Sequence, residues 1–222
     1  MIEKIFAAMD FSDFETFEKE FNKISSHIEL FKVGYQLFYS EAGARVMDFL
    51  DDKGKKIFLD LKMNDIPNTM LKGLTSLRKR FTFHYLTAHI SSGEAAMRSL
   101  ATEGRQLDVE ILGVTLLTSL STDDLHSMGI DKDHSSLIHR RIESAADWGV
   151  PGVIMSAADL GAVDVPNIVK ITPGIRYKED FADDQKRVTT PAEAFANGAD
   201  MLVMGRSLFK HPVEKLLKEL GE

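Results

Sequence analysis

Eight short apolar segments alternate with longer amphipathic segments along this chain of 222 residues. Several of the short segments are apolar at nearly every position, as strands of a parallel sheet are when helices cover both faces. They predict eight strands, at residues 5–9, 28–33, 56–61, 83–89, 109–116, 152–155, 168–171 and 201–204. Eight strand–helix alternations predict an α/β protein with a single (β/α)8 TIM barrel.

The amphipathic segments predict the helices of such a barrel. Phe14, Phe17 and Phe21 recur at helical spacing in the first of them. Pro67 and Pro212 lie near two helix starts, where a missing amide hydrogen costs least. The predicted helices cover residues 13–23, 41–53, 68–80, 93–102, 135–148 and 207–220.

A doubly wound open sheet is the structural alternative. Such a sheet usually carries a glycine-rich dinucleotide loop after its first strand, but residues 10–13 here read Asp-Phe-Ser-Asp. The chain has no low-complexity tract and no Pro/Gly/Ser-rich linker that would mark a boundary. We therefore expect one barrel domain that spans residues 1–222.

Composition excludes several classes of function. The chain has no cysteine, which rules out disulfides, thiol nucleophiles, iron–sulfur clusters and thiolate zinc sites. A net charge of −7 disfavours a broad nucleic-acid surface but not a small anionic ligand in a locally positive pocket. The first apolar segment is too short for a signal peptide or a membrane span. We expect a cytoplasmic protein with no nucleic-acid and no membrane partner.

Polar residues follow the predicted strands, at the end of a barrel where chemistry takes place. Any one of them could be only the polar residue that ends a strand. They are Asp10, Lys32, Asp60, Lys62, His89, Thr118, Arg176 and Arg206.

Asp60 and Lys62 form the more informative pair. Because strand side chains alternate, we expect both to project to the same side of the sheet. The functional interpretation is a carboxylate that keeps Lys62 charged and oriented as a proton donor. The alternative is a structural salt bridge at the end of the barrel.

Gly205 and Arg206 lie where a strand, a tight turn and a helix start succeed one another. Barrels often bind phosphate after their last strands, and arginine suits that contact. The alternative is an arginine in a solvated helix cap. The long polar segment 173–190 contains Arg176 and Gln185, and it is a candidate for a lid that closes over a phosphate.

The seven histidines show no metal-ligand spacing. His89 with Asp60 could ligate a divalent ion, but a hydrogen-bonded core histidine is the simpler interpretation. The histidine spacing therefore gives no indication of a metal site.

Residues 60–69, Asp-Leu-Lys-Met-Asn-Asp-Ile-Pro-Asn-Thr, resemble the signature D-x-K-x-x-D-I-P-x-T of the orotidine 5′-phosphate decarboxylase family. Asn64 stands where many members have histidine. The resemblance extends over nearly the whole chain. Its other matching segments are 8–10, 31–34, 117–119, 173–176, 183–187 and 205–207.

The resemblance implies a (β/α)8 homodimer that converts orotidine 5′-monophosphate to uridine 5′-monophosphate and needs neither a metal nor an organic cofactor. It implies that Asp65, Ile66 and Thr69 of one subunit complete the site of the other. Lys62, held by Asp60 and by that Asp65, would stabilise and then protonate a carbanion at ring carbon 6.

The same resemblance assigns the remaining site residues to substrate binding. Lys32 would order the charged network and contact the ribose, and Asp10 would bind ribose hydroxyls. The other residues that would contact the nucleotide or its phosphate are Thr118, Pro173, Arg176, Gln185, Gly205 and Arg206.

Two alternatives stay open at this point. One is a Mg²⁺-dependent phosphosugar aldolase or decarboxylase on the same barrel. The other is a non-catalytic nucleotide-binding barrel.

Overall fold

Eight parallel strands close into a barrel in the computed structural model, which describes residues 1–162, 165–180 and 189–221. Each strand pairs with the next in chain order, and the last pairs with the first. The strands are β1 Ile5–Ala8, β2 Leu30–Gly34, β3 Lys56–Met63, β4 Tyr85–His89, β5 Glu110–Val114, β6 Gly152–Ile154, β7 Val169–Ile175 and β8 Met201–Met204. The predicted (β/α)8 barrel is confirmed, and the open-sheet alternative is wrong.

Ten α-helices lie among the described residues. The side chain of Asp13 caps the first by accepting a hydrogen bond from the Thr16 amide at 2.8 Å, and Pro67 occupies the first turn of the fourth. The helices are α1 Phe14–Ile24, α2 Tyr35–Phe38, α3 Gly43–Asp52, α4 Pro67–Arg80, α5 Glu94–Gln106, α6 Thr122–Ser127, α7 His134–Asp147, α8 Pro191–Ala196, α9 Arg206–Lys210 and α10 Val213–Leu220.

The single helix predicted at 207–220 is wrong, because this part of the chain forms α9 and α10. Pro212 cannot donate an amide hydrogen bond, and its ring disfavours a helical conformation at the preceding residue. His211 accordingly has extended backbone angles, φ −126° and ψ 156°. The short helices α2, α6 and α8 were not predicted, since four to six residues show too little periodicity.

Side chains that point into the barrel change from apolar to polar along the strands. Phe6 and Ala8 of β1 precede Asp10, and Phe58 of β3 precedes Asp60. Phe6 packs edge-on against Phe58, with ring centroids 5.1 Å apart. The buried apolar residues of this interior cluster are Phe6, Ala8, Leu30, Phe58, Leu112, Val114, Ile154, Ile171 and Val203. The interior of the barrel is therefore packed with apolar side chains, and charged groups lie at the carboxyl ends of its strands.

A second, larger apolar cluster lies between the strands and the surrounding helices. Phe17 and Phe21 of α1 pack against Phe49 of α3, with centroids 5.6 and 5.1 Å apart. Across the described ranges, no helix is both long enough and apolar enough to cross a membrane.

Candidate active site

A cluster of four charged side chains lies at the carboxyl-terminal ends of β1, β2 and β3. The Lys62 ammonium donates to both oxygens of Asp60, each at 2.8 Å. The Lys32 ammonium lies 3.1 Å from Asp10 Oδ1 and 3.6 Å from Asp60 Oδ2. The structure thus brings together Asp10, Lys32, Asp60 and Lys62, with Asp60 between two ammonium groups.

The charge state of Asp60 follows from these neighbours. Its side chain is only 12% exposed, and burial alone would raise the pKa of the carboxyl. The positive charges of Lys32 and Lys62, with hydrogen bonds from Lys62 and Thr87, outweigh burial and lower that pKa below its ordinary value. Asp60 is therefore a carboxylate at neutral pH and holds the ammonium groups in place.

The backbone of β3 departs from regular strand geometry at Lys62, the residue that binds Asp60. Its backbone is left-handed, with φ +44°, and the register of β3 with β4 shifts between Leu59 and Met63. The reason given for the pairing, regular alternation along β3, is therefore wrong, although the two side chains do meet. A left-handed conformation costs a residue other than glycine about 1–2 kcal/mol, so neighbouring contacts must hold it.

Two hydroxyl groups hold the backbone around Lys62. The Lys62 amide donates to Thr87 Oγ1 at 2.9 Å, and the Tyr35 hydroxyl donates to the Leu61 carbonyl at 2.6 Å. Thr87 Oγ1 also donates to Asp60 Oδ1 at 2.8 Å. The sequence analysis missed both residues. Thr87 carries a signal that could have found it, since it lies one strand repeat before His89 on the inward face of β4.

His89, at the end of β4, is half-buried near this cluster. Burial lowers the pKa of its imidazole, and the positive charges of Lys62 and Arg141 lower it further. His89 is therefore a neutral neighbour of the lysine at neutral pH. Within the described part of the chain, no group of three or more histidine and carboxylate side chains is arranged to hold a metal ion.

A second part of the site lies beside β7 and β8. Ile175 and Met204 are paired in the sheet, so Arg176, Gly205 and Arg206 follow neighbouring strands at the same edge. No described carboxylate forms an ion pair with Arg206, whose side chain is exposed. A Cβ at Gly205 would meet only Ala8 Cβ, at 3.8 Å, so internal packing does not require glycine there.

The helix that follows this turn, α9, has only five residues. Pro173 lies within β7. Gln185 lies outside the described residues.

Ser207 joins this turn to the segment after β7. Its hydroxyl, nearly fully buried, accepts from the Tyr177 amide at 3.0 Å and donates to Asp180. His211 Nε2 lies 3.1 Å from Asp180 Oδ2. Burial opposes ionisation of Asp180, but the hydrogen bonds from Ser207 and His211 lower its pKa below the ordinary value. The sequence analysis did not single out this network.

The remaining predicted residues are exposed in a single chain. Ile66 is 65% exposed, and Thr69 and Thr118 are also exposed. Asp65 is exposed and accepts a hydrogen bond from the Ile66 amide at 2.6 Å. Within this chain, no described cation forms an ion pair with Asp65.

The closed barrel, with charged groups at the carboxyl ends of its strands, places this chain among the (β/α)8 barrel enzymes. A family model described as "Orotidine 5'-phosphate decarboxylase / HUMPS family" matches residues 3–216. The chain belongs to this family.

Individual relatives agree with the family match. A protein of Desulfosudis oleivorans named orotidine 5'-phosphate decarboxylase is 38% identical over 83% of this chain and 78% of its own length. One of the same name from Bradyrhizobium diazoefficiens is 34% identical over 98% of this chain and 91% of its own length. The crystal structure of orotidine 5'-phosphate decarboxylase from Lactobacillus acidophilus superposes with a TM-score of 0.82. It is 28% identical and covers 99% of this chain and 100% of that one.

Proposed function

We propose that this chain decarboxylates orotidine 5′-monophosphate to uridine 5′-monophosphate, a step of de novo pyrimidine nucleotide synthesis. The observation that carries the proposal is the Lys62–Asp60–Lys32–Asp10 network at the mouth of a barrel of this family. It supplies a fixed ammonium group where a reaction that creates a ring anion needs one.

The chemistry needs a positive charge and a proton at one place. When the bond from ring carbon 6 to the carboxylate breaks, its electron pair stays on carbon 6 and carbon dioxide leaves. The Lys62 ammonium stabilises that electron pair and then donates a proton to carbon 6. The resulting neutral amine regains a proton from solvent when the product leaves.

Stabilisation of the transition state is the main contribution in this proposal. A like-charge contact between an aspartate and the substrate carboxylate is worth about 4 kcal/mol at 4 Å and an effective dielectric constant of 20. Enzymes commonly lower barriers by about 8–23 kcal/mol. Repulsion in the ground state is therefore too small to be the principal effect.

The other residues bind the substrate away from the reacting bond. Lys32 orders the network and contacts the ribose, and Asp10 binds ribose hydroxyls. In this proposal, four further residues contact the nucleotide: Ile66, Thr69, Thr118 and Pro173. The phosphate is bound by Arg176, Gln185, Gly205 and Arg206, and its binding energy can hold a closed site that excludes water.

The active form in this proposal is a homodimer whose partner subunit supplies Asp65, Ile66 and Thr69. Ile66, Tyr35 on α2 and Tyr39 directly after α2 are all exposed. Large apolar groups are therefore uncovered in one chain. A two-fold interface would cover them and would bring the partner subunit's Asp65 to Lys62.

The test is an ultraviolet assay of the purified protein with orotidine 5′-monophosphate, with and without a metal chelator. The expected result is turnover that the chelator does not change. The assay also tests the two alternatives, a Mg²⁺-dependent phosphosugar aldolase or decarboxylase and a non-catalytic nucleotide-binding barrel. Turnover of a phosphosugar that the chelator abolishes would favour the first of these. Binding of nucleotide without any turnover would favour a non-catalytic barrel.

A further inference from the structure

The hydroxyl of Thr87 joins the two central residues of the charged cluster. Thr87 is fully buried in β4, and its Oγ1 accepts from the Lys62 amide at 2.9 Å. The same oxygen donates its own hydrogen to Asp60 Oδ1 at 2.8 Å. One hydroxyl group therefore connects the backbone of Lys62 to the carboxylate that binds the Lys62 ammonium.

Both hydrogen bonds are made where the strand is irregular. The register of β3 with β4 shifts between Leu59 and Met63, and within this stretch Lys62 has φ +44°. The Thr87 hydroxyl satisfies the Lys62 amide there, and an unsatisfied buried amide would be costly. It thereby supports a backbone conformation that a lysine rarely adopts.

The hydrogen bond from Thr87 to Asp60 restrains the Asp60 carboxylate. Asp60 Oδ1 accepts from both Thr87 and Lys62, and Oδ2 accepts from Lys62 and faces Lys32. A carboxylate that accepts hydrogen bonds from two residues and pairs with a second ammonium group has little freedom to rotate. The Lys62 ammonium is therefore held at a defined place relative to the strand end.

We propose that Thr87 is a positioning residue that sets where the Lys62 ammonium sits relative to the reacting ring carbon. This inference rests on the proposed function, since it assigns Thr87 to the same reaction. Thr87 acts through Asp60 and through the Lys62 backbone and has no direct contact with the reacting atoms. Its loss should affect turnover more than substrate binding.

The test replaces the hydroxyl while keeping the shape of the side chain. Thr87→Val should lower kcat about 10- to 100-fold, because one charge-assisted hydrogen bond is lost and one amide is left unpaired. The KM for orotidine 5′-monophosphate should change less than about threefold, because the phosphate and ribose contacts are untouched. Thr87→Ser keeps the hydroxyl and should stay within about threefold of wild-type kcat.

Thr172 provides the matched control. It is also a fully buried threonine of a barrel strand, and no described residue hydrogen-bonds to its hydroxyl. Thr172→Val makes the same chemical change without removing a hydrogen bond, so kcat should equal that of the wild type. The melting temperature of each variant shows whether a lower kcat results from a lower stability.

If Thr87→Val does not fold, a second pair of variants tests the role of the Thr87 hydroxyl. Thr87→Ser and Thr87→Ala differ only in the hydroxyl, and neither places a methyl group against the carboxylate. The serine variant should exceed the alanine variant in kcat by about tenfold or more. Equal kcat in these two variants, or wild-type kcat in Thr87→Val, would overturn the proposal.

One further measurement separates this proposal from the proposed function. Amide hydrogen exchange at Lys62 needs no substrate, and it should be faster in Thr87→Val but not in Thr172→Val. If the wild type does not decarboxylate orotidine 5′-monophosphate, the proposed function fails, while this exchange still reports whether Thr87 holds Lys62. Unchanged exchange in Thr87→Val would overturn the positioning role alone.

Discussion

At Lys62, the backbone and the side chain are held by different neighbours. Thr87 binds the amide and Tyr35 binds the preceding carbonyl, while Asp60 binds the ammonium group. The side chain is 29% exposed, so the ammonium group is fixed from below and open to a ligand above. Such a group stabilises a developing anion without first having to reorganise.

Replacing Lys62 should separate chemistry from binding. In the proposed reaction, Lys62→Ala removes both the stabilising charge and the proton donor, so kcat should fall by more than about 10⁴-fold. The affinity for uridine 5′-monophosphate should stay within about tenfold of wild type, because the phosphate contacts remain. The ultraviolet assay and isothermal titration calorimetry measure the two quantities. Near-normal kcat would show that Lys62 is not the proton donor.

Asp60 should make stability depend on pH in a definite direction. Its pKa is lower in the folded chain than in the unfolded chain, so its contribution to stability is fully present above about pH 4. That contribution is lost as pH falls through the lower, folded-state pKa. At neutral pH, Asp60→Asn leaves two lysines facing a neutral amide and should lower the free energy of unfolding by about 3 kcal/mol.

Urea unfolding of the wild type and Asp60→Asn at several pH values between 7 and 3 tests this. The difference in free energy of unfolding should shrink as pH approaches 3, because Asp60 binds a proton in the unfolded wild type before it does so in the folded chain. A difference that stays constant over this range would contradict the assignment of a lowered pKa to Asp60.

At the scale of elements, the strands were predictable because they are short segments, several of them apolar at nearly every position, between longer amphipathic ones. All eight predicted strands overlap observed strands, since burial on both faces leaves a strong local signal. The break between α9 and α10 could have been inferred from Pro212, whose missing amide argues against a continuous helix.

The site was predictable only in part. The sequence reveals which strands end in charged residues, and the barrel then brings Asp10, Lys32 and Asp60 together. The left-handed backbone at Lys62 depends on two hydrogen bonds, one that Thr87 accepts from the Lys62 amide and one that Tyr35 donates to the Leu61 carbonyl, across 25 and 26 residues of sequence. No local pattern encodes such contacts.

The network around Ser207 should couple the segment after β7 to the turn that contains Gly205 and Arg206. Ser207→Ala removes the acceptor for the Tyr177 amide and the donor to Asp180. The free energy of unfolding should fall by about 1–3 kcal/mol, and uridine 5′-monophosphate should bind more weakly, because Arg176 then lies on a looser segment. Urea unfolding and calorimetric titration measure both effects.

Ser99 on α5 offers a control for that variant. Its hydroxyl donates to the Ala95 carbonyl within the same helix and is exposed. Ser99→Ala should leave nucleotide affinity unchanged. If Ser207→Ala bound the nucleotide as tightly as Ser99→Ala, the proposed coupling would be wrong.

At the scale of the whole molecule, the question is whether one chain holds a complete site. The described residues of one chain give Lys62 only Asp60 as an ion-pair partner, and Asp65 is exposed with no cation beside it. In the proposed homodimer, each subunit lacks a carboxylate that the other supplies. The two sites are then interdependent although each barrel folds around its own core.

Mixing two inactive variants tests this arrangement. Lys62→Ala and Asp65→Ala each disable both sites of a homodimer, but a mixed dimer contains one site with neither substitution. Random reassociation should therefore restore activity to about one quarter of the wild-type level, since half of the dimers are mixed and each has one intact site. Light scattering measures the dimer. An active monomer, or no recovery on mixing, would contradict a shared site.

The left-handed backbone angles of Lys62 carry a conformational cost that glycine or asparagine would largely avoid. Neither of those residues supplies a positive charge beside Asp60, so either exchange would gain about 1–2 kcal/mol of backbone energy and lose an ion pair worth about 3–5 kcal/mol. The charge on the side chain, and not the backbone, therefore accounts for a lysine at position 62.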